Sequence, residues 1–267
     1  YIKMWAPEID VTIVERGSEF ISCPLSNLVL GGNTTINELT YSYDGLKRRG
    51  ITVVRDEASA IDAQKREVRL AGGNVLNYDR LIVSPGVEFS YGGIPGLNNA
   101  EAQDRVLHAW KAGPQTLALR KQLESMRDGG VYVLHIPLAP YRCPPGPYER
   151  ICQVADYFKR AKPKSKIIVL DSNPDLVSKA ALFKAVWVNQ YKGMIDYRPN
   201  SEIADVDVKG MTVKLQFDSV KGDVLNVILP QRAAQIGRSG QQRREGRQRR
   251  EQKRRALLGH VERLPQF

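Results

Sequence analysis

The stretch Pro140-Tyr141-Arg142-Cys143-Pro144-Pro145-Gly146-Pro147-Tyr148-Glu149 decides the fold of this chain. It follows an apolar run, residues 131–136, that predicts a strand, and it precedes a helical pattern over residues 151–162. A second strand is predicted over residues 167–170 and ends at Asp171. This order of strand, turn, helix and strand is typical of a dinucleotide-binding unit.

The turn of this unit has an unusual composition. A dinucleotide-binding turn is normally rich in glycine, because the backbone must approach a pyrophosphate closely. Here the turn carries four prolines and one cysteine, Cys143. Prolines stiffen a loop and remove N–H donors, so this turn is poorly suited to phosphate and well suited to fixing a thiol. A structural cysteine in a rigid loop is the alternative that the residues leave open.

Size and composition limit the classes of protein. The chain has 267 residues with 42% hydrophobic content, enough for one large domain or two ordinary ones. No apolar run reaches the length of a membrane-spanning helix. The cysteines are Cys23, Cys143 and Cys152, and without a CxxC or Cys/His cluster they predict no metal site.

The formal charge of +11 arises mainly at one end of the chain. Residues 238–267 hold ten Lys/Arg and three Asp/Glu, a net charge of +7. Such a block has too few apolar residues for a core, so residues 237–267 are predicted to be a disordered or frame-shifted tail. No aromatic residue lies between Arg238 and His260 for base stacking, which disfavours nucleic-acid binding. A non-catalytic basic binding protein remains the alternative from another functional class.

A second dinucleotide signal precedes this unit. The β-branched run over residues 11–14 ends at Glu15, and an acid at this position binds ribose hydroxyls in dinucleotide folds. The matching glycine loop should lie about 20 residues earlier, which is before Tyr1. We therefore expect the first strand and its loop to be missing from this chain. A surface glutamate at the end of an unrelated strand is the alternative.

Cys23 stands in a loop that leads into a short helix stopped by Gly31-Gly32. A thiol at a helix N-terminus ionises more readily, so Cys23 is a candidate nucleophile or attachment point. A buried inert cysteine is the other interpretation.

Further elements complete the two predicted dinucleotide folds. Residues 67–83 predict a β-meander whose last strand, residues 81–83, runs into Ser84-Pro85-Gly86. This order is typical of the passage from a flavoprotein domain to a second dinucleotide domain. Residues 115–126 predict a connecting helix, and three strands are predicted over residues 206–208, 211–217 and 224–228.

Taken together, these motifs resemble the flavoprotein subunit of flavocytochrome c sulfide dehydrogenase, of the pyridine nucleotide-disulfide oxidoreductase group. The resemblance covers about residues 1–236 and rests on the following segments: Ser22-Cys23-Pro24-Leu25-Ser26-Asn27, Tyr43-Asp44-Gly45-Leu46, Tyr78-Asp79-Arg80 with Ser84-Pro85-Gly86, His108-Ala109-Trp110-Lys111-Ala112-Gly113, Tyr141 to Arg150, and Pro230-Gln231-Arg232-Ala233.

The resemblance implies an α/β fold with two Rossmann-like, three-layer dinucleotide-binding domains, incomplete at both ends. Residues 1–112 would form the FAD-binding domain without its first strand and glycine loop. Residues 113–236 would form the second, central domain of the sulfide dehydrogenase type.

The resemblance also implies roles for individual residues. Cys23 matches the cysteine that bonds covalently to the 8α-methyl group of FAD, and Glu15 matches the acid at the FAD ribose. Pro85 and Gly86 match the cofactor-binding segment. Cys143 matches one half of the redox-active disulfide beside the flavin. Cys152 has no role in the family and is predicted to be a core residue.

The implied activity is oxidation of sulfide, with electrons passing through the flavin to a dihaem c-type cytochrome subunit in the periplasm. A sulfide:quinone oxidoreductase, which reduces membrane quinone, is the closest alternative. The family's second disulfide cysteine lies in a C-terminal region, and this chain has no cysteine after Cys152. We therefore expect this chain to be an incomplete copy that does not form the catalytic disulfide or hold FAD fully.

Overall fold

The structure, a computed structural model, describes residues 1–236, so the predicted tail lies outside the described residues. The chain forms two compact units. Of the described residues, the first unit contains 1–18, 43–88 and 232–236. The second unit contains residues 19–42 and 89–231.

These units divide the chain differently from the predicted boundary after residue 112. Residues 19–42 and 89–112 belong to the same compact unit as residues 113–231. One physical reason is that the helix over residues 26–31 packs on the helices over residues 114–125 and 146–161. As a division by function, the assignment of residues 1–112 to an FAD-binding domain stays a prediction.

The helices and strands have the following bounds. The helices are α1 (Ile2–Trp5), α2 (Ser26–Gly31), α3 (Asp44–Lys47), α4 (Ala100–Arg105), α5 (Pro114–Ser125), α6 (Gly146–Ala161) and α7 (Ala180–Gln190), with 3-10 turns at Asn37–Leu39 and Pro95–Leu97. The strands are β1 (Val11–Val14), β2 (Glu19–Ile21), β3 (Thr40–Ser42), β4 (Ile51–Val54), β5 (Ala58–Asp62), β6 (Glu67–Leu70), β7 (Val75–Asn77), β8 (Val87–Phe89), β9 (Val131–Ile136), β10 (Lys166–Asp171), β11 (Ile195–Arg198), β12 (Ile203–Asp207), β13 (Thr212–Leu215), β14 (Ser219–Lys221), β15 (Val224–Val227) and β16 (Gln231–Ala233).

The first unit is built around two small sheets. Strand β1 pairs in parallel with β4, with Val11 opposite Ile51 and Val14 opposite Val54. Strands β5, β6 and β7 form an antiparallel meander, as the sequence predicts for the stretch that includes residues 67–70.

The predicted strand over residues 81–83 is wrong. Leu81, Ile82 and Val83 form no strand, and their side chains are 37%, 78% and 45% exposed. The sequence signal was an apolar, β-branched run, but a strand also needs a neighbour to receive its backbone hydrogen bonds. No strand of residues 1–236 pairs with this segment.

The second unit contains the strand, loop, helix and strand that the sequence predicts. Its parallel sheet has the order β11-β10-β9-β15, and α6 connects β9 to β10. The helix begins at Gly146, five residues before the predicted start. Pro147 fits there because a proline in the first helical turn removes no hydrogen bond that the helix would make.

The parallel sheet separates two apolar cores. Leu134 of β9 faces a core formed mainly with α5, α6 and α7, whereas its neighbour Val133 faces a core formed with β12, β13 and β14. Side chains alternate between the two faces of a strand, so one apolar run serves both layers. The second unit therefore has three layers, and the predicted α/β, Rossmann-like fold class is confirmed.

We expect Leu134→Ala to destabilise the second unit by about 3 kcal/mol, because the truncation leaves a cavity around a fully buried side chain. Urea unfolding followed by fluorescence of the buried Trp110 and Trp187 measures the effect. Leu182→Ala is the matched control, because Leu182 on α7 is 58% exposed and should cost less than about 0.5 kcal/mol. Equal losses in the two variants would contradict the assigned core.

Candidate functional site

Cys143 lies in the loop between β9 and α6, at the carboxyl end of the parallel sheet. Ligands of open α/β sheets bind at this end. The residue is exposed, and its backbone adopts a left-handed φ of 59°. Its carbonyl oxygen accepts a hydrogen bond from Gly146 N at 2.9 Å. The structure thus presents the thiol to solvent at the first turn of α6.

The Cys143 loop is fixed by hydrogen bonds on both sides of the cysteine. Ala139 N donates to Asn173 Oδ1 at 3.0 Å, and Arg142 N donates to Gln231 Oε1 at 3.1 Å. The indole Nε1 of Trp110 donates to the carbonyl of Arg142 at 3.2 Å. These bonds join three separate segments to the loop, so the thiol has a defined position.

Cys23 belongs to the same compact unit and lies in the turn before α2. Its thiol is free and half-buried. Arg142 Nη2 donates to Cys23 Sγ at 3.2 Å, and Cys23 Sγ lies 3.7 Å from the carbonyl oxygen of Trp110. The structure therefore brings Cys23 to the Cys143 loop through Arg142. Arg142 lies within the proline-rich loop motif, but no local sequence pattern predicts a role for it.

A fully buried arginine, Arg150 of α6, lies beneath this region. Its Nε donates to Asn27 Oδ1 at 3.0 Å, and its Nη1 donates to Asn226 Oδ1 at 2.8 Å. Its remaining bonds go to the carbonyl oxygens of His108 at 3.0 Å and Ala109 at 2.6 Å. All of these acceptors are neutral, so the guanidinium joins α2, β15 and the segment before α5 without an acidic partner.

Arg150 also orders Trp110. The guanidinium carbon lies 4.9 Å from the centroid of the Trp110 ring, which is cation–π distance. Trp110 N donates to His108 Nδ1 at 2.9 Å, so this imidazole nitrogen must be unprotonated. Burial, followed by the charges of Arg150, Arg142 and Lys111, lowers the pKa of His108 to about 4. His108 is therefore neutral at physiological pH and holds Trp110 as an acceptor.

The environment of Cys143 raises the pKa of its thiol above the ordinary value. Although the residue is exposed overall, partial desolvation of its sulfur is the largest cause, and the negative charge of Glu149 adds to it. The Gly146 N–H and the Arg142 charge act in the opposite direction but do not outweigh these causes. Cys143 is consequently a protonated thiol near neutral pH.

Cys152 lies on α6 and packs against the core, as the sequence predicts. It is half-buried, and burial raises the pKa of its thiol. It takes no part in the contacts around Cys23 and Cys143.

The remaining predicted cofactor residues lie in the first unit. Glu15 follows β1 directly, and its Oε1 accepts a hydrogen bond from Gly17 N at 2.9 Å. Gly86 has a φ of 74°, and open space surrounds the position that a Cβ would take. Pro85 precedes it in the same irregular segment. Their roles stay predictions.

Asp171 occupies the position at the end of β10 where a dinucleotide fold places its ribose-binding acid. The side chain is fully buried. Its Oδ2 accepts hydrogen bonds from the hydroxyls of Tyr148 and Tyr197, each at 3.0 Å, and its Oδ1 accepts from Asn173 N at 2.9 Å. The carboxylate is therefore used inside the protein and does not face a nucleotide site.

Two residues have the chemistry that a flavin dinucleotide requires. Cys23 presents a free sulfur beside a guanidinium, which suits a thioether bond to the ring. Glu15 presents a carboxylate at the carboxyl end of a parallel strand, which suits ribose hydroxyls. The chain therefore fits the group at these two points. Within residues 1–236 no cluster of His, Cys, Asp or Glu is suited to a metal ion. No helix of the described part has the length and hydropathy to cross a bilayer.

Comparison with known protein families identifies the segment that carries the Cys143 loop and α6. Residues 116–230 match the family of the sulfide dehydrogenase (flavocytochrome c) flavoprotein chain, in its central region. The resemblance stated from the sequence motifs is thereby confirmed. The matched segment includes Cys143, Arg142, Arg150 and Asp171.

The similarity to other proteins covers most of this chain. The mitochondrial sulfide:quinone oxidoreductase of Dictyostelium discoideum is 23% identical over 236 residues, covering 83% of this chain and 50% of the relative. The sulfide:quinone oxidoreductase structure from Aquifex aeolicus has a TM-score of 0.68 at 15% identity, covering 85% of this chain and 54% of that chain. The water-forming NADH oxidase of Lactobacillus brevis gives 0.66 at 18% identity, covering 86% and 50%. At these identities the structures share the fold, and this chain spans about half the length of each.

We expect Glu149→Gln to increase the reactivity of Cys143 near neutral pH. Removing the negative charge of Glu149 lowers the pKa of the thiol, so more thiolate is present at a given pH. The rate of alkylation by iodoacetamide, measured for Cys143 by mass spectrometry over a pH series, should shift to lower pH. Glu101→Gln on α4 is the control of equal charge change. An unchanged pH profile in Glu149→Gln would show that Glu149 does not act on this thiol.

We expect Arg150→Met to destabilise the second unit by about 3 kcal/mol or more. The change leaves the buried acceptors of Asn27, His108 and Ala109 without this donor. Urea unfolding measures the loss, and Arg105→Met, at an exposed position on α4, should stay within about 0.5 kcal/mol of the parent. A stability equal to the parent would refute the anchoring role of Arg150.

Proposed function

We propose that the protein containing this chain is a flavin-dependent oxidoreductase that oxidises sulfide through Cys143 and passes the electrons to a c-type cytochrome. The single observation that supports this most strongly is the meeting of two free cysteines in one compact unit, joined by Arg142. The match of residues 116–230 to the sulfide dehydrogenase flavoprotein chain supports the substrate class.

The proposed reaction begins with a disulfide between Cys143 and the second redox cysteine that the resemblance implies, which is not one of the three cysteines of this chain. Hydrosulfide attacks one sulfur of this disulfide, forms a persulfide on it, and releases the other sulfur as a thiolate. A bound FAD would supply the acceptor for the electron pair. The exposure of Cys143 allows hydrosulfide to reach it, and the anchored loop holds the sulfur in place.

The loop and Asp171 favour an acceptor other than a nicotinamide nucleotide. The loop contains four prolines, and the N–H groups of Ala139, Arg142 and Gly146 donate to acceptors within the protein. Asp171, the candidate ribose acid, is buried and saturated by tyrosine hydroxyls. A phosphate and a ribose would therefore lack the donors and the acceptor that they usually find in this fold.

The electron acceptor separates the two closest candidates. The matched family carries flavocytochrome c in its name, which supports a c-type cytochrome as the acceptor. The dihaem subunit and the periplasmic location are part of the proposal through the resemblance alone. A sulfide:quinone oxidoreductase is the second candidate, because the relatives from Dictyostelium discoideum and Aquifex aeolicus carry that name. In both candidates Cys143 and the flavin have the same tasks, so the acceptor alone distinguishes them.

The test uses the whole protein that contains this chain, produced with FAD and freed of oxygen. We expect sulfide to bleach the visible flavin absorption, and Cys143→Ser to slow this bleaching on the order of 10³-fold or more, because the reacting sulfur is removed. Dithionite should still bleach the variant, which shows that the flavin remains bound. Cys152→Ser is the matched control and should react like the parent.

The outcome also identifies the acceptor. Faster reoxidation by a c-type cytochrome than by a soluble quinone supports the first candidate, and the reverse order supports the second. Bleaching of Cys143→Ser at the parent's rate would refute the role of this cysteine in either enzyme.

A further inference from the structure

The guanidinium of Arg142 contacts Cys23, which is far from it in the sequence, and not its neighbour Cys143. Arg142 precedes Cys143 in the sequence, yet its Nη2 lies 3.2 Å from Cys23 Sγ. The same Nη2 donates to the carbonyl oxygen of Trp110, and Cys23 Sγ lies 3.7 Å from that oxygen. The guanidinium nitrogen therefore contacts both the Cys23 sulfur and the Trp110 carbonyl oxygen, which also lie close to each other.

The position of this guanidinium is set by the backbone of the Cys143 loop. Arg142 N donates to Gln231 Oε1 at 3.1 Å, and Arg142 O accepts from the Trp110 indole at 3.2 Å. The backbone is held from both sides although the side chain is exposed. Trp110 thus fixes Arg142 twice, through its ring nitrogen and through its carbonyl oxygen.

A cationic side chain contacts the sulfur of Cys23. The charged and titratable groups that face it among residues 1–236 are Arg142, the buried Arg150 and the Cys143 thiol. The ion pairs of the described residues do not include Arg142 or Arg150, so neither charge is neutralised by a carboxylate. A nearby cation stabilises a thiolate, and the thiolate is the reactive form of cysteine.

We propose that Arg142 activates Cys23 for formation of its bond to the flavin. This inference rests on the proposed function, in which Cys23 carries the cofactor. Attachment replaces the S–H bond of Cys23 and one C–H bond of the ring methyl group by a C–S bond. Two protons and two electrons are released, and the electrons pass through the ring to dioxygen, which becomes hydrogen peroxide. Arg142 stabilises the sulfur that attacks the methyl carbon.

This arrangement links the two cysteine sites during assembly. The residue that activates Cys23 is carried by the loop that holds Cys143, so Cys23 becomes reactive only when that loop is folded against Trp110. Folding of this one loop against Trp110 therefore both positions Cys143 and brings Arg142 to Cys23. A lysine at position 142 would retain the positive charge but not the planar guanidinium group.

The first experiment measures the reactivity of Cys23 without any cofactor. Cys143→Ser and Cys152→Ala leave Cys23 as the single thiol, and iodoacetamide labels it at a measurable rate. We expect Arg142→Met to slow labelling near neutral pH by about fivefold, and Arg142→Lys to give an intermediate rate. Arg198→Met, which removes a half-buried arginine paired with Asp196, should label at the parent's rate.

Two conditions separate an electrostatic role from a structural one. At a pH well above about 8.5, where unperturbed thiols are ionised, the rates of the Arg142 variants should converge with that of the parent. High salt should narrow the difference near neutral pH, because an exposed cation is screened. Equal labelling rates for Arg142→Met and the parent near neutral pH would overturn the inference, as would a difference that persists at high pH.

The second experiment measures flavin attachment in the whole protein that contains this chain, with Cys23, Cys143 and Cys152 unchanged. The mass of the denatured protein reports covalent flavin, and Cys23→Ser should carry none. We expect Arg142→Met to attach flavin more slowly in air, while its reversible affinity for FAD equals that of the parent. Absence of covalent flavin in the parent would refute the attachment role of Cys23, whereas the labelling experiment decides the role of Arg142 independently.

Discussion

The buried guanidinium of Arg150 is the interaction on which the arrangement of the second unit depends. It lies in the protein interior, where an arginine normally has a carboxylate partner, and it is bound instead by two amide oxygens and two carbonyl oxygens. Because each acceptor comes from a different part of the chain or from the segment around Trp110, the charge holds those parts together. Its own desolvation is offset by these hydrogen bonds.

Several features of the site follow from this anchor. Asn27 connects the helix after Cys23 to α6, because its amide nitrogen donates to Gly146 O at 3.1 Å while its oxygen accepts from Arg150. Trp110 is held over the guanidinium and in turn positions Arg142. The result is an asymmetric pair of thiols. The pKa of Cys143 is raised by burial and by Glu149, whereas Cys23 has an arginine in contact with its sulfur.

The carboxylate of Asp171 is hydrogen-bonded within the protein, although it lies at the position where a nucleotide-binding fold binds a ribose. The order of strands and helix is that of a nucleotide-binding unit, but the hydroxyls of Tyr148 and Tyr197 donate hydrogen bonds to the carboxylate that would bind a ribose. Burial raises the pKa of Tyr148 to about 12, so its hydroxyl remains a donor at physiological pH. The carboxyl end of the sheet is then available for the chemistry of Cys143. The same fold supports both uses because function depends on the side chains at this edge.

The sequence by itself determined the strand, loop, helix and strand around Cys143, because apolar periodicity and proline placement act over short distances. It also singled out Cys23, Glu15 and Cys143 as candidates. It failed at residues 81–83, where an apolar run finds no pairing strand among the described residues, and strand formation depends on such a partner. Only the tertiary structure showed that Arg142 contacts Cys23, that the buried Arg150 joins several segments and that Asp171 accepts hydrogen bonds from two tyrosines. These contacts join residues far apart in the chain, so their geometry is set by packing and not by any local pattern.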